Sequence, residues 1–482
     1  MSEDRVMTGI DGLDALIEGG FPKGSLVLLA GNPGTGKTVF SMQFLYKGAE
    51  EHGENGIYVS FAENEDTIIH NISRLFGCNF RKMEEGCGKV KILDFTTVTE
   101  KGLPTLLEMI LEEVTASKAK RLVIDSFSAM AQAFQKPIEA RSIIHNILGK
   151  LVRKLGCTTI LIVEVPTGSE RIGISIEEFV ADGVIVLRKD NYDGRLVREI
   201  EIEKLRGTRL ESQKFLFTLH KSFHVFPPFS SKEVEDPEPF EPTRGTKTHY
   251  PSGIPELDEI LGGEGYPRGC SVLYELGENV PVGALDAIIN PTIASFIMRG
   301  RGFITTPIIG YGPEDIRKMV SSFTGEEQFD KFARITTFPN PMIDMNKPYI
   351  VAWQNPSVED MDAMANFNLY IESAVELSSK IGKNVIHLLS GDNLAFIVER
   401  FTPAVIGRSV IANRLGKDLM IYISKPSIPE MTKVFADTLS IHFKIEERNG
   451  SMILFGKKPK TIIYGVELDA SRGCRVKLTP IV

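Results

Sequence analysis

The sequence predicts an α/β protein built from two tandem domains, each a mostly parallel sheet flanked by helices. Three observations carry that reading. Short apolar runs alternate with helical stretches, the pattern of parallel strands joined by crossover helices. A glycine-rich loop connects one such run to a helix. The whole plan then returns at an offset of roughly 245 residues, the size of a domain rather than of a solenoid repeat.

In the first half the expected strands are Leu26–Ala30, Gly56–Phe61, Lys89–Leu93, Arg121–Ile124, Thr159–Val163 and Gly183–Leu187. Helical stretches such as Lys37–His52 and Arg141–Leu155 lie between them. Arg198–Lys204 alternates in polarity and is expected to form an edge hairpin with Lys214–Leu219. From Pro227 to His249 the composition shifts to Pro, Glu, Ser and Thr, which cannot bury a core. A chain of 482 residues is too long for one ordinary core, so the boundaries are set at 1–228, a linker at 229–248, and 249–482.

The repeat is legible residue by residue. Thr8-Gly9-Ile10, Leu13-Asp14 and Gly19-Gly20-Phe21-Pro22-Lys23-Gly24 return as Ser252-Gly253-Ile254, Leu257-Asp258 and Gly263, then Gly265-Tyr266-Pro267-Arg268-Gly269. Phe303–Thr306 stands for Tyr58–Phe61, and Asn384–Leu389 for Arg121–Asp125. Phe435-Ala436-Asp437-Thr438 echoes Val180-Ala181-Asp182-Gly183. The chain is read as a duplication.

Hydrophobic content of 42% and charged content of 24% are ordinary for a soluble globular protein. The acidic start Met1-Ser2-Glu3-Asp4 and the lack of any long uncharged apolar run point to a cytoplasmic protein with no membrane insertion. Five scattered cysteines and eight histidines form no metal-like spacing. A net charge of −8 argues against indiscriminate binding to nucleic acid or acidic membranes.

Chemistry concentrates in the first half. Gly31-Asn32-Pro33-Gly34-Thr35-Gly36-Lys37-Thr38 is a complete phosphate-binding loop between a strand and a helix. Its backbone N–H groups and the helix N-terminus converge on an anion, Lys37 reaches the β- and γ-phosphate oxygens, and Thr38 offers a hydroxyl to Mg²⁺. Arg121-Leu122-Val123-Ile124-Asp125 is an apolar strand ending in an acid, and Asp125 is the candidate organiser of the metal. Glu63, at the end of Gly56–Phe61, is the candidate for activating water from the next sheet position. The bland alternative for it is a helix N-terminal acid, as Glu65 and Asp66 provide. Glu164 is either a sensor near the phosphates or an exposed strand-end charge. Lys204 and Arg206 share a strand face, cannot easily reach their own loop, and are better placed to serve a neighbouring subunit's site.

Together, Thr8 to Gly24, the phosphate loop, Val59-Ser60-Phe61-Ala62-Glu63, Ile176 to Asp182 and Lys204-Leu205-Arg206-Gly207-Thr208 resemble the KaiC-like branch of the RecA superfamily. The resemblance covers almost all of 1–228 and extends faintly over 249–482. It implies tandem RecA-like P-loop domains, with ATP and Mg²⁺ held between adjacent subunits of a homo-oligomeric ring, usually a hexamer. It also implies that Gly31 to Thr38 bind the phosphates, that Asp125 is the metal acid, and that Lys204 and Arg206 act in trans. Phe217 to Phe226 resembles the segment that closes over the base. The sequence departs from the family in two places. Ala62-Glu63 keeps one acid of the usual pair, which implies slow turnover, and Lys433-Val434 lack the hydroxyls needed for clock-type autophosphorylation.

In the second half the corresponding loop, Gly277-Glu278-Asn279-Val280-Pro281-Val282-Gly283-Ala284, has no lysine. Gly302–Thr306 runs into Pro307 where an acid would stand, and Ser390 ends its strand with Asp392 two residues beyond. Lys457-Lys458-Pro459 falls where Lys204-Leu205-Arg206 stood, and Trp353 lies in an unmatched stretch where core packing is the default. The expected function is a nucleotide-dependent switch: an N-terminal ATPase tier, and a C-terminal pseudo-ATPase tier that serves as scaffold or binds an unidentified protein partner. The alternatives are a DNA-handling recombinase-type ATPase and a non-hydrolysing nucleotide sensor.

Overall fold

The computed structural model describes residues 4–77, 88–96, 103–128, 155–165, 181–230, 238–307, 311–353, 363–391 and 403–482. The expected helix Arg141–Leu155 apart from its last residue, the motif residues 176–180, linker residues 231–237 and Asp392 lie outside them. The chain divides into two units. The first is residues 1–228 with 449–451 and 480–482, and the second is 229–448 with 452–479.

In the first unit a short antiparallel pair, β1 (Arg5–Val6) and β2 (Phe21–Pro22), brackets α1 (Leu13–Leu16). The main sheet then takes β3 (Leu26–Gly31), β4 (Gly56–Ser60), β5 (Val90–Asp94), β6 (Arg121–Asp125), β7 (Thr158–Glu164), β8 (Gly183–Tyr192), β9 (Arg195–Leu205), β10 (Lys214–Thr218) and β11 (His224–Phe226). Across the sheet the order is β11-β10-β9-β8-β3-β7-β6-β4-β5. The strands from β8 to β5 are all parallel. Helices α2 (Lys37–His52), α3 (Glu65–Phe76) and α4 (Leu103–Ser117) supply crossovers. Every residue of β3 and β4 is buried, as expected of parallel strands covered on both faces.

Period-2 alternation splits the core into two layers. Val27, Leu29 and Tyr58 pack with Phe40 and Phe44 of α2 on one face. Leu26, Leu28, Ile57 and Val59 pack with Leu107, Ile110 and Val114 of α4 on the other. Arg121, 1% exposed, starts β6 beneath α2: Nε donates to Glu54 at 2.7 Å and Nη1 to the Phe44 carbonyl at 2.7 Å. A guanidinium buried without such partners would be strongly destabilising.

One expectation is corrected. The stretch around Arg198–Lys204 is not an edge strand, because β9 lies between β8 and β10. The cause is local: Asp193 and Gly194 both adopt positive φ (51° and 71°), a tight turn that folds β9 back along β8. The expected pairing with β10 is present as well.

The second unit repeats the plan. β12 (His249–Tyr250) pairs antiparallel with β13 (Tyr266–Pro267) around α5 (Pro255–Ile260). The phosphate-loop strand has its counterpart in β14 (Ser271–Leu276), followed by α6 (Val282–Met298) and β15 (Gly302–Thr305). Next come α7 (Pro313–Thr324), α8 (Glu326–Phe332), β16 (Ala333–Thr337), β17 (Ile350–Ala352) and α9 (Ala363–Ile381). Then follow β18 (Val385–Ser390), α10 (Pro403–Gly416), β19 (Leu419–Ser424), α11 (Pro429–Thr438) and β20 (Ile441–Arg448). The last strands are β21 (Ser451–Lys458), β22 (Lys460–Leu468) and β23 (Val476–Pro480). The order β17-β16-β15-β18-β19-β14-β20-β21-β22-β23 matches the first sheet read from the other side, with β17 added at one edge. That extra strand accounts for the unmatched stretch. It leads into Trp353, which is buried edge-on against Phe338.

The duplicated residues make duplicated contacts. Asp14 accepts from the Thr8 N–H at 2.8 Å, and Asp258 from the Ser252 N–H at 2.7 Å. Lys204 Nζ donates to the Ala181 carbonyl at 2.7 Å, and Lys458, one residue beyond the position the sequence aligns with Lys204, donates to the Ala436 carbonyl at 3.1 Å. Gly20 and Gly265 both hold positive φ, and a Cβ there would lie 2.2 Å from Val6 O and 2.3 Å from Tyr250 O. Gly19 also has positive φ, but open space surrounds it. Gly19→Ala is therefore expected to cost about 1 kcal/mol and Gly20→Ala at least twice as much. Chemical denaturation of the two variants separates left-handed strain from backbone collision.

Candidate nucleotide site

Parallel register brings the site together. Gly31, the last residue of β3, pairs with Glu164, the last of β7, and Asp125 at the end of β6 pairs with Ser60 at the end of β4. One sheet edge therefore presents the phosphate loop, Glu164, Asp125 and the segment leading to Glu63, in that order. Glu63 is not one sheet position from the loop, as the sequence had suggested. Two strands, β7 and β6, intervene, and the strand beside β4 on that side is β6, which ends in Asp125.

The loop is built by its own sequence. Thr35 Oγ1 donates to the Asn32 carbonyl at 2.9 Å, and Asn32 Nδ2 donates to the Val165 carbonyl at 2.9 Å. Gly36, at φ 104°, turns the chain directly into α2, and a Cβ there would press on Leu219 at 3.0 Å. The first turn of α2 thus opens toward the concavity formed by the loop. Lys37 is 7% exposed, and its Nζ donates to the carbonyls of Gly31 at 2.9 Å and Asn32 at 3.0 Å. Burial pulls its pKa below the ordinary lysine value, opposed by the charges of Glu164 and Asp125.

Thr38 Oγ1 donates to Asp125 Oδ2 at 3.2 Å. The two residues are far apart in sequence and meet only because β6 lies beside α2. A hydroxyl whose proton is committed to a carboxylate turns its lone pairs outward, and a hard oxygen donor set of this kind suits Mg²⁺. Burial holds Asp125 above its ordinary pKa, although its hydrogen bonds and Lys37 favour the charged form. Sequence reading missed a third member. Tyr58 Oη donates to the same Asp125 Oδ2 in a short hydrogen bond. Burial, followed by the Asp125 charge, keeps the phenol protonated well beyond its ordinary range.

Glu63 is exposed, and its backbone is fastened by Ser60: the Glu63 N–H donates to Ser60 Oγ at 3.1 Å and its carbonyl accepts from that hydroxyl at 2.5 Å. It is not a helix-start acid. Asn64 caps α3 by accepting from the Thr67 N–H at 2.9 Å, and Glu65 and Asp66 fill the first turn.

Lys204 and Arg206 sit elsewhere. Leu205 pairs with Gly183, which pairs with Val27 near the start of β3, so both cations lie at the opposite end of the sheet. Four residues of strand separate that level from Gly31, about 13 Å at 3.3 Å per residue. Arg206 forms an exposed ion pair with Asp182 at 3.3 Å. In the second unit Ser424 and Thr432 share a short hydrogen bond, and Lys433 pairs with Glu430 at 3.1 Å. Among the described residues no cluster of three metal-ligating side chains is present, and no helix is long and apolar enough to cross a membrane.

A phosphate loop at the end of a central parallel strand, with an acid ending a nearby strand, defines a P-loop nucleoside triphosphatase. The comparisons with known proteins narrow this. The family model described as the ATPase KaiC matches residues 6–226. A UPF0273 protein of Pyrococcus furiosus is 35% identical over 242 residues, 46% of this chain and 94% of that protein. The circadian clock oscillator protein KaiC of Prochlorococcus marinus is 34% identical over 272 residues, covering 55% of this chain and 52% of that one. The chain thus spans about half the length of the KaiC proteins it matches. A solved KaiC-like protein of Pyrococcus horikoshii OT3 shares 40% identity over 46% of this chain and 99% of that one, with a TM-score of 0.42. The chain belongs to the KaiC-like ATPase family.

A carboxylate whose pKa is raised on folding favours the protonated state, so its ionisation costs stability as pH rises above the unfolded value. Asp125→Asn is accordingly expected to raise the thermal midpoint of the ligand-free protein by about 2–4 °C at neutral pH. Calorimetry is the check, and the gain should vanish at a pH where Asp125 is itself protonated.

Proposed function

We propose that the first unit binds ATP with Mg²⁺ and hydrolyses it slowly, as the nucleotide-responsive tier of a homo-oligomeric ring. The observation that carries the reading is the meeting of Lys37, Thr38 and Asp125 at one sheet edge. In this reading the loop N–H groups and the start of α2 hold the β- and γ-phosphates, and Lys37 exchanges the carbonyls of Gly31 and Asn32 for phosphate oxygens. Thr38 and Asp125 hold the Mg²⁺, which would neutralise charge on the phosphate oxygens. Glu63 orients or deprotonates the attacking water. With Ala62 in place of a second acid, turnover is slow.

Lys204 and Arg206 complete a neighbouring subunit's site, a role supported by their position at the far end of their own sheet. The second unit serves as scaffold or partner-binding module. Supporting this are its retained sheet order and the absence of a lysine from Gly277 to Ala284. ATP/ADP exchange in the first unit then acts as a regulatory signal.

Lys37→Ala should abolish nucleotide binding in equilibrium dialysis; full ATPase activity in that variant would exclude the site. Arg206→Ala should lower turnover at least about a hundredfold while leaving nucleotide affinity within a few-fold. Mixed with Lys37→Ala subunits it should regain activity, since each variant supplies what the other lacks. Stimulation of turnover by DNA would favour a DNA-handling motor, and a lack of multiple-turnover phosphate release would favour a sensor.

A further inference from the structure

Resting on that reading, we infer that Tyr58 is a positioning residue for Asp125, fixing the carboxylate that, with Thr38, holds the metal.

A tyrosine in the middle of a fully buried parallel strand needs an acceptor for its hydroxyl, since an unpaired buried O–H is costly. Gly56, Tyr58 and Ser60 share one face of β4, the face covered by α2. Tyr58 pairs with Val123 of β6, two residues before Asp125, so its ring reaches along the sheet toward the acid at the strand end. Its Oη meets Asp125 Oδ2, and Thr38 Oγ1 reaches the same oxygen at 3.2 Å. An ionised carboxylate oxygen has two in-plane lone pairs, and these two donors engage both. Among the described residues no side-chain donor is bonded to Oδ1, so both donors fix the carboxylate through one oxygen. The ring is 0% exposed and close-packed, so the phenol gives the carboxylate a fixed orientation that a mobile water would not.

Three consequences separate this role from core packing. Phe fills the same ring volume, so Tyr58→Phe keeps the core and removes one donor from Asp125. A hydrogen bond to a charged group corresponds to roughly tenfold or more in an equilibrium constant. Finally, a residue that acts through another loses its effect when that other residue is changed.

The test titrates Mn²⁺ into ADP-loaded full-length protein and follows free Mn²⁺ by electron paramagnetic resonance. Tyr58→Phe should weaken Mn²⁺ binding about tenfold while ADP affinity in EDTA stays within twofold of wild type. Turnover at limiting Mg²⁺ should fall, and raised Mg²⁺ should restore it with KM for ATP unchanged. In an Asp125→Asn background the further change Tyr58→Phe should have no effect on Mn²⁺ binding. Unaltered Mn²⁺ affinity in Tyr58→Phe, or an equal loss in both backgrounds, overturns the inference and leaves the ATP site intact. A wild-type protein that binds no ADP overturns the inference together with the nucleotide reading.

Discussion

Parallel hydrogen-bond register among β3, β7, β6 and β4 is the constraint on which the site depends. Four strands running the same way end on the same edge, so whatever follows each strand is delivered to one place. The loop follows β3, Glu164 and Asp125 end β7 and β6, and Glu63 comes three residues after β4. A slip of one residue in β6 would turn Asp125 to the α4 face and leave Thr38 without its partner. Burial on both faces prevents such a slip. Side chains of these strands alternate between two buried apolar layers, and exchanging them would put side chains of the wrong size and shape into both.

The same arrangement stores unfavourable electrostatics. Lys37 and Asp125 are both held away from their ordinary pKa values, primarily by burial. Local partners offset this: loop carbonyls for the lysine, two hydroxyls for the acid. Such compensation is exchangeable. In the proposed reading a phosphate or a metal would offer each group a stronger partner without rebuilding the core.

The two units show which contacts recur where the phosphate-loop lysine does not. Carboxylate-to-backbone contacts of Asp14 and Asp258, glycine collisions at Gly20 and Gly265, and the lysine-to-carbonyl bonds of Lys204 and Lys458 recur in both. These are backbone-fixing interactions, needed wherever this chain path is taken. The loop lysine and the strand-end acids have no counterparts at the matching positions of the second unit. The recurrence of the Lys204 contact at Lys458 also shows that this bond is part of the hairpin's construction.

Much of this was legible in the linear order of residues. The motif from Gly31 to Thr38, the apolar strands, the duplication and the family are local patterns, set by backbone approach to an anion, by period-2 burial and by turn chemistry. The Asp193-Gly194 turn was equally local and marks where β9 folds onto β8, but the alternation of Arg198–Lys204 read as an edge. Other features depend on which strand lies beside which, and crossover connections leave that undetermined in a one-dimensional record. Only the tertiary structure put Asp125 against Thr38, moved Glu63 from the strand next to the loop to the one beyond β6, and sent Lys204 and Arg206 to the opposite end of the sheet. It also turned Tyr58, by sequence one more apolar-strand aromatic, into a hydrogen-bond donor to Asp125. The physical reason is that strand order and register are set by long-range packing of both sheet faces, whereas loops and strands are set by their own few residues.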